Sequence, residues 1–139
     1  MKLVSACLCG LNCRYNGTSV LNEEVMEMVR RGEAIPVCPE LLGGLGTPRK
    51  PCEGPIKGRV LSKSGKDFTA EFTRGAEEVL KLARAVGADE FIGKARSPSC
   101  GAGLIFDGTF SSTLVKGDGV TTKLLRENGL RVRSADKTG

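Results

Sequence analysis

The six cysteines, Cys7, Cys9, Cys13, Cys38, Cys52 and Cys100, are the residues of this chain best suited to chemistry. Thiolates hold soft metals, build iron–sulfur clusters or act as nucleophiles. The chain has no histidine, which excludes Cys-His and Ser-His-Asp nucleophiles, Cys₂His₂ zinc sites, histidine-ligated haem and an imidazole base. Any metal must be held by thiolate, carboxylate or water. No CxxC pair occurs, so zinc ribbons and thioredoxin-like redox motifs lose their signature. The ferredoxin run is also missing, although Cys7-x-Cys9-x₃-Cys13 is a local cluster. Glu40 stands two residues after Cys38, and Ser97 three before Cys100. This carboxylate and hydroxyl could orient and deprotonate a water beside a metal. Against that, a cysteine following an apolar strand is often only a small buried hydrophobe.

Lys plus Arg number 21 against 16 Asp plus Glu, a net charge of +5 that favours anionic ligands. No basic run reaches five residues, and most of the charge reads as a solvated face with a minority framing a small ligand. The aromatic residues are five Phe and one Tyr, few for stacking along a strand, so a nucleic-acid partner is not expected. At 40% hydrophobic, 139 residues can bury one ordinary core, and a single domain over 1–139 is expected. The 19 glycines are about twice the usual ~7% share and gather around cysteines and in loops. Leu3-Val4-Ser5-Ala6-Cys7 matches a lipoprotein cleavage box, but too few residues precede Cys7 for the ~7–15 of a signal-peptide core. No apolar run approaches the ~18 residues of a membrane span. No membrane partner is therefore expected, and a cytoplasmic location would keep the thiols reduced.

The elements that must position these residues can be read in order. Lys2 to Ala6 is a buried strand ending in a Cys/Gly-rich loop. Asn22 caps a helix with Glu23 and Glu24 in its first turn, Arg30 and Arg31 in its last, and Gly32 beyond. Ala34 to Val37 is a second strand, placed for a parallel return. Cys38 to Pro55 reads as one long loop. Arg59–Leu61 and Asp67–Phe68 look like a hairpin around Ser64-Gly65. Thr69 caps a long helix ended by Gly87, with Phe72, Ala76, Val79, Leu80, Ala83 and Val86 at helical spacing. Glu90 to Gly93 is a third core strand, running into the loop Lys94 to Gly101. Leu104 to Phe110 holds a short strand and turn. A last helix, from about Asp118 as cap to Asn128, leads to a strand at Leu130–Val132.

This alternation gives an α/β fold: a single three-layer domain with a mostly parallel sheet. Cys7, Cys38 and Cys100 then lie in cysteine-bearing loops at the C-terminal ends of the strands, where open parallel sheets bind ligands. Three cysteines are one short of closing a [4Fe–4S] cluster and would leave one iron as a Lewis acid. From spacing alone zinc remains a competitor.

Ser5-Ala6-Cys7-Leu8 with Cys13-Arg14-Tyr15-Asn16-Gly17, Val37-Cys38-Pro39-Glu40 with Gly43-Gly44-Leu45 and Pro48-Arg49, Ser97-Pro98-Ser99-Cys100-Gly101, and Gly117-Asp118-Gly119-Val120 together resemble the thiouracil desulfidase (TudS) family. The resemblance runs in order from Ser5 to about Gly129. It implies a [4Fe–4S] cluster held by Cys7, Cys38 and Cys100, with Glu40 and Ser97 activating water. The implied reaction removes sulfur from thiouracil or a related thiolated pyrimidine without net redox change. Arg14, Arg49 and Lys50 could accommodate a thio-nucleotide, or could offset the charge of the cluster.

Cys9 and Cys52 are not ligands that the family pattern requires, and Cys13 belongs to the motif without being a family ligand. A fourth cysteine ligand would close the open iron. The other reading is then a non-enzymatic metal or iron–sulfur protein: a sensor, a carrier or a zinc-stabilised binding module. A nucleotide-binding α/β domain is a third reading, weakened because no GxGxxG or P-loop pattern opens a helix.

Overall fold

Leu3 and Val4 point to opposite faces of the first strand and are both fully buried, which requires a packed layer on each side of the sheet. The computed structural model, which describes residues 1–135, supplies both layers. Strands β1 (Lys2–Ser5), β2 (Ala34–Val37), β5 (Glu90–Gly93) and β8 (Arg131–Ser134) pair in parallel in the order β2-β1-β5-β8. On one face α1 (Glu23–Arg30) brings Val25 against Val4, Ala34 and Ile92. On the other, α3 (Thr69–Val86) and α4 (Val120–Glu127) bring Val79, Leu80, Ala83 and Leu125 against Leu3, Val37 and Phe91. Each large side chain buried in this way contributes about 1.5–3 kcal/mol. The result is the expected three-layer α/β domain with a parallel central sheet.

The order of strands reverses between β1 and β5. That is the switch point where two neighbouring connections leave in opposite directions and open a crevice beyond the carboxyl ends of the strands. Two antiparallel hairpins flank the crevice: β3 (Cys52–Ile56) with β4 (Arg59–Ser62), and β6 (Leu104–Phe106) with β7 (Leu114–Lys116).

The capped helix and its parallel return stand as read, with Asn22 Oδ1 accepting from Val25 N–H at 3.1 Å. Elsewhere tertiary contacts overrule the local reading. The segment 38–55 is not one loop: it contains the four-residue helix α2 (Pro39–Leu42) and all but the last residue of β3. The hairpin partner of β4 is β3, joined through Lys57 and Gly58 at φ 51 and 76, while the expected Leu61–Asp67 pairing survives as a single bridge. Thr69 is the first helical residue of α3 rather than its cap, and its hydroxyl accepts from Val60 N–H at 2.9 Å. Asp118 does not cap α4; it accepts from Gly103 N–H at 2.9 Å and pairs with Arg126 at 2.8 Å. No helix among the described residues is long and apolar enough to cross a membrane. Residues 136–139 of the expected 1–139 domain lie outside the described residues.

Candidate active site

Three chain segments leave adjacent strands and meet in the crevice. After β1 the backbone tightens into a 3₁₀ turn, Ala6–Cys9, that buries Cys7. After β2, Cys38 is the N-cap of α2, which places Glu40 in the first turn of that helix. After β5, the loop 94–101 buries Cys100. Close backbone packing explains part of the glycine excess. A Cβ on Gly43 would collide with the carbonyl of Glu71, and one on Gly75 with the carbonyl of Pro39, so α2 lies directly on α3. A Cβ on Gly93 would stand 2.5 Å from the carbonyl oxygen of Cys100, which ties the third cysteine to its strand.

The loop is fixed by its own hydrogen bonds. Ser97 Oγ accepts from the N–H groups of Ser99 and Cys100, both at 3.1 Å. The carbonyls of Pro98 and Ser99 accept from Val120 and Thr121 N–H at 2.8 and 2.9 Å, satisfying the exposed donors at the start of α4. Those contacts replace the side-chain cap that Asp118 was expected to give.

All five residues singled out from the sequence, Cys7, Cys38, Cys100, Glu40 and Ser97, line one cavity of about 430 Å³. Cys13 and Cys52 line it as well, whereas Cys9 does not. Glu40 is held from both sides. Its Oε1 accepts from Ser99 Oγ at 2.8 Å, and its Oε2 meets Arg49 Nη2 at 3.3 Å, with the two side chains only 14% and 11% exposed. Arg49 is further anchored by Nη1 to the Gly46 carbonyl at 3.3 Å and to Thr47 Oγ1 at 3.1 Å. Ser99 also lies 3.0 Å from Ser97 Oγ and 3.4 Å from Cys100 Sγ.

Burial and nearby charge disfavour the thiolate at Cys13, Cys38 and Cys100. Burial, reinforced by the charge of Glu40, pushes Cys100 up to about 12. Cys38 is driven well above the ordinary thiol range by its hydrogen bond with Cys13, burial and Glu40. Cys13 is pulled down by that bond and pushed up by one with Cys7 and by burial, ending at about 11. Such a pocket disfavours thiolates unless positive charge arrives, and bound metal supplies it. Among the described residues, Arg14, Arg49, Lys50, Lys94 and Arg96 also line the cavity, against Glu40 and Glu53. Among the described residues no trio of Cys, Asp or Glu converges closely enough to hold a single metal ion. Thiols spread around a shared volume, with Cys7, Cys13 and Cys100 buried, fit a bulky polynuclear ligand, and their softness fits iron and sulfide.

A family model described as 2-thiouracil desulfurase matches residues 3–137. The chain belongs to the 2-thiouracil desulfurase family. Two full-length likenesses accompany that match. A solved structure titled [4Fe-4S]-dependent thiouracil desulfidase TudS superposes with a TM-score of 0.91 at 44% identity, over 97% of this chain and 90% of that one. A Bacillus subtilis (strain 168) protein, "Uncharacterized protein YbbK", is 41% identical over 146 residues, covering 99% of this chain and 97% of its own length.

The sequence assigns no role at the site to Ser99 or to the aromatic residues of this cavity, Phe72 being read only as part of a helix's apolar stripe. Ser99 is wholly buried although polar, and its link to Glu40 spans 59 residues, so no local pattern announces it. Tyr15, Phe68, Phe72, Phe106 and Phe110 line the cavity, and Phe72 is at the same time buried in the core, as is Phe91.

Proposed function

We propose that this protein is a [4Fe–4S]-dependent desulfidase that converts thiouracil or a related thiolated pyrimidine, with water, to the oxo-pyrimidine and sulfide. The observation that carries this reading is the meeting of Cys7, Cys38 and Cys100, from the ends of three adjacent parallel strands, in one cavity beside Glu40. These three thiols would hold the cluster. With three protein ligands a [4Fe–4S] cluster supplies one open iron, a Lewis acid for a thiocarbonyl sulfur.

The chain's own residues handle water and protons. Ionised Glu40 only accepts hydrogen bonds, so the single proton of Ser99 Oγ is committed to Glu40 Oε1. Ser97 must then donate to Ser99, while its own oxygen accepts the two backbone N–H groups. With its proton and both lone pairs engaged, Ser97 acts by orienting Ser99, which in turn holds Glu40. Glu40 is the group that takes a proton from water. Water adds to the ring carbon, the C–S bond breaks with its electron pair on sulfur, and hydrosulfide leaves; no electron donor is consumed. Arg49, engaged by Glu40, Gly46 and Thr47, is better placed to hold the base than to bind a substrate phosphate. Six free cysteines support a reducing, cytoplasmic setting.

Turnover of 2-thiouracil by the cluster-loaded protein in ¹⁸O-water, without reductant, tests the reading. One ¹⁸O in each uracil and one sulfide for each uracil are expected. A requirement for reductant, or uracil without label, contradicts hydrolysis.

One observation favours a second reading, a closed site without catalysis: Cys13 is buried, lines the same cavity as Cys7 and Cys38, and its carbonyl oxygen lies 3.9 Å from Cys38 Sγ. Cys13→Ser separates the two. Unchanged iron content and turnover accord with the enzyme; loss of iron marks Cys13 as a fourth ligand.

A further inference from the structure

Phe110 is a bulky apolar residue in an unlikely place for packing alone. It sits in the turn between β6 and β7 with its backbone in the left-handed region at φ 56, flanked by Gly108 at φ 91 and Ser112 at φ 59. Aromatic residues seldom adopt that conformation, and those that do are held there by their surroundings. Here the restraint comes from the other hairpin. Glu53 Oε1, in β3, accepts from the N–H groups of both Gly108 and Phe110 at 3.0 Å, across 55 and 57 residues of sequence. The outer side of the turn is braced as well. Asp107 Oδ1 accepts from the Thr109 N–H at 2.9 Å and hydroxyl at 2.6 Å, and hydroxyl contacts continue through Ser111 to Thr113. Asp107, Thr109, Ser111 and Thr113 thus form a polar outer edge, while Phe110, half-buried, lines the cavity. It shares that cavity with Phe68, Phe72 and Phe106.

A turn fixed by a carboxylate from a second hairpin, in order to present one aromatic ring to a cavity, is a device for recognising something flat. A planar heteroaromatic ring gains from stacking on such a face, whereas a small acyclic thiocarbonyl compound gains nothing comparable. We propose that Phe110 supplies the stacking face for the ring of the thiolated base, and that Glu53 is the positioning residue that sets it there. This rests on the desulfidase reading above and adds to it the means by which the site selects a ring.

The experiment compares Phe110→Ala, Phe110→Leu, Phe110→Tyr, Glu53→Ala and Glu53→Gln as cluster-loaded proteins, with iron content and thermal unfolding recorded for each. The readouts are KM and kcat for 2-thiouracil and thiourea, and equilibrium dialysis of uracil. Phe110→Ala is expected to raise KM for 2-thiouracil and weaken uracil binding about tenfold or more, the size of one lost base–aromatic stack. Its kcat should stay near the wild-type value, and turnover of thiourea, which has no ring to stack, should not change. Leucine keeps the apolar bulk without the π face and should behave like alanine; tyrosine should behave like the wild type. Glu53→Ala should reproduce the Phe110→Ala pattern, and Glu53→Gln should keep the wild-type KM and uracil binding because its carboxamide oxygen can still accept both N–H groups. Wild-type turnover with unchanged KM and uracil binding in both Phe110→Ala and Phe110→Leu overturns the stacking role and leaves the desulfidase reading intact. A normal KM in Glu53→Ala beside a raised one in Phe110→Ala overturns the positioning role. No turnover of 2-thiouracil by the loaded wild type overturns the desulfidase reading itself, and uracil dialysis still judges Phe110.

Discussion

The edge of the parallel sheet and the pair of hairpins beside it line one cavity by different means. The sheet edge carries the thiols, Glu40 and Ser97 on short segments whose backbones are pressed against neighbouring elements through Gly43, Gly75 and Gly93. The hairpins carry Phe106 and Phe110 and are tied together by one side chain, Glu53. Reaction chemistry requires fixed geometry, and the residues proposed for it lie on the elements that the core over-determines. Ring selection tolerates a surface element held by a few hydrogen bonds. The comparison teaches that damage at the sheet edge should appear in iron content or kcat, and damage at the hairpins in KM.

The largest effect should come from the sheet edge. Cys38→Ser is expected to lower reconstituted iron from about four per chain to a small remnant and to abolish sulfide release, as read by iron analysis and a sulfide assay. Glu40→Gln should keep the iron, and single-turnover kinetics should show a rate roughly 10²–10⁴-fold lower, the usual cost of losing a general base. A Glu40→Gln protein that falls mainly in KM would break the division between the two regions.

Smaller effects sharpen it. Ser99→Ala removes a hydrogen bond to a charged group, about 1.5–3 kcal/mol, so kcat should drop about tenfold or more with KM little changed. Steady-state kinetics on a variant of unaltered iron content checks this. Cys52→Ser is expected to change neither iron content nor kcat, since Cys52 lies in β3 on the hairpin side although it lines the cavity. Loss of iron there would move a ligand from the sheet edge to the hairpins.

How much of this the sequence discloses follows the same boundary. The first two core strands, the Asn22 cap and the long helix closed by Gly87 are local: they rest on periodicity, a capping side chain and a left-handed glycine at φ 66. Once the strands were placed, their ends placed Cys7, Cys38 and Cys100. The four residues of α2 escaped because so short a helix has little stability of its own and is fixed by contact with α3 through Gly43 and Gly75. Asp118 was misplaced as a cap because the donors at the start of α4 are met by carbonyls of Pro98 and Ser99. The links from Ser99 to Glu40 and from Glu53 to Phe110 were invisible, since each joins residues more than fifty positions apart.

The most direct test of the central claim is anaerobic. The protein is reconstituted with iron and sulfide, its iron, zinc and acid-labile sulfide are quantified, and hydrosulfide release is followed after 2-thiouracil is added. The account predicts about four iron and four sulfide per chain, with catalytic release of hydrosulfide. Stoichiometric zinc, or a complete cluster that never releases sulfide from 2-thiouracil, would contradict it and point to a closed metal site.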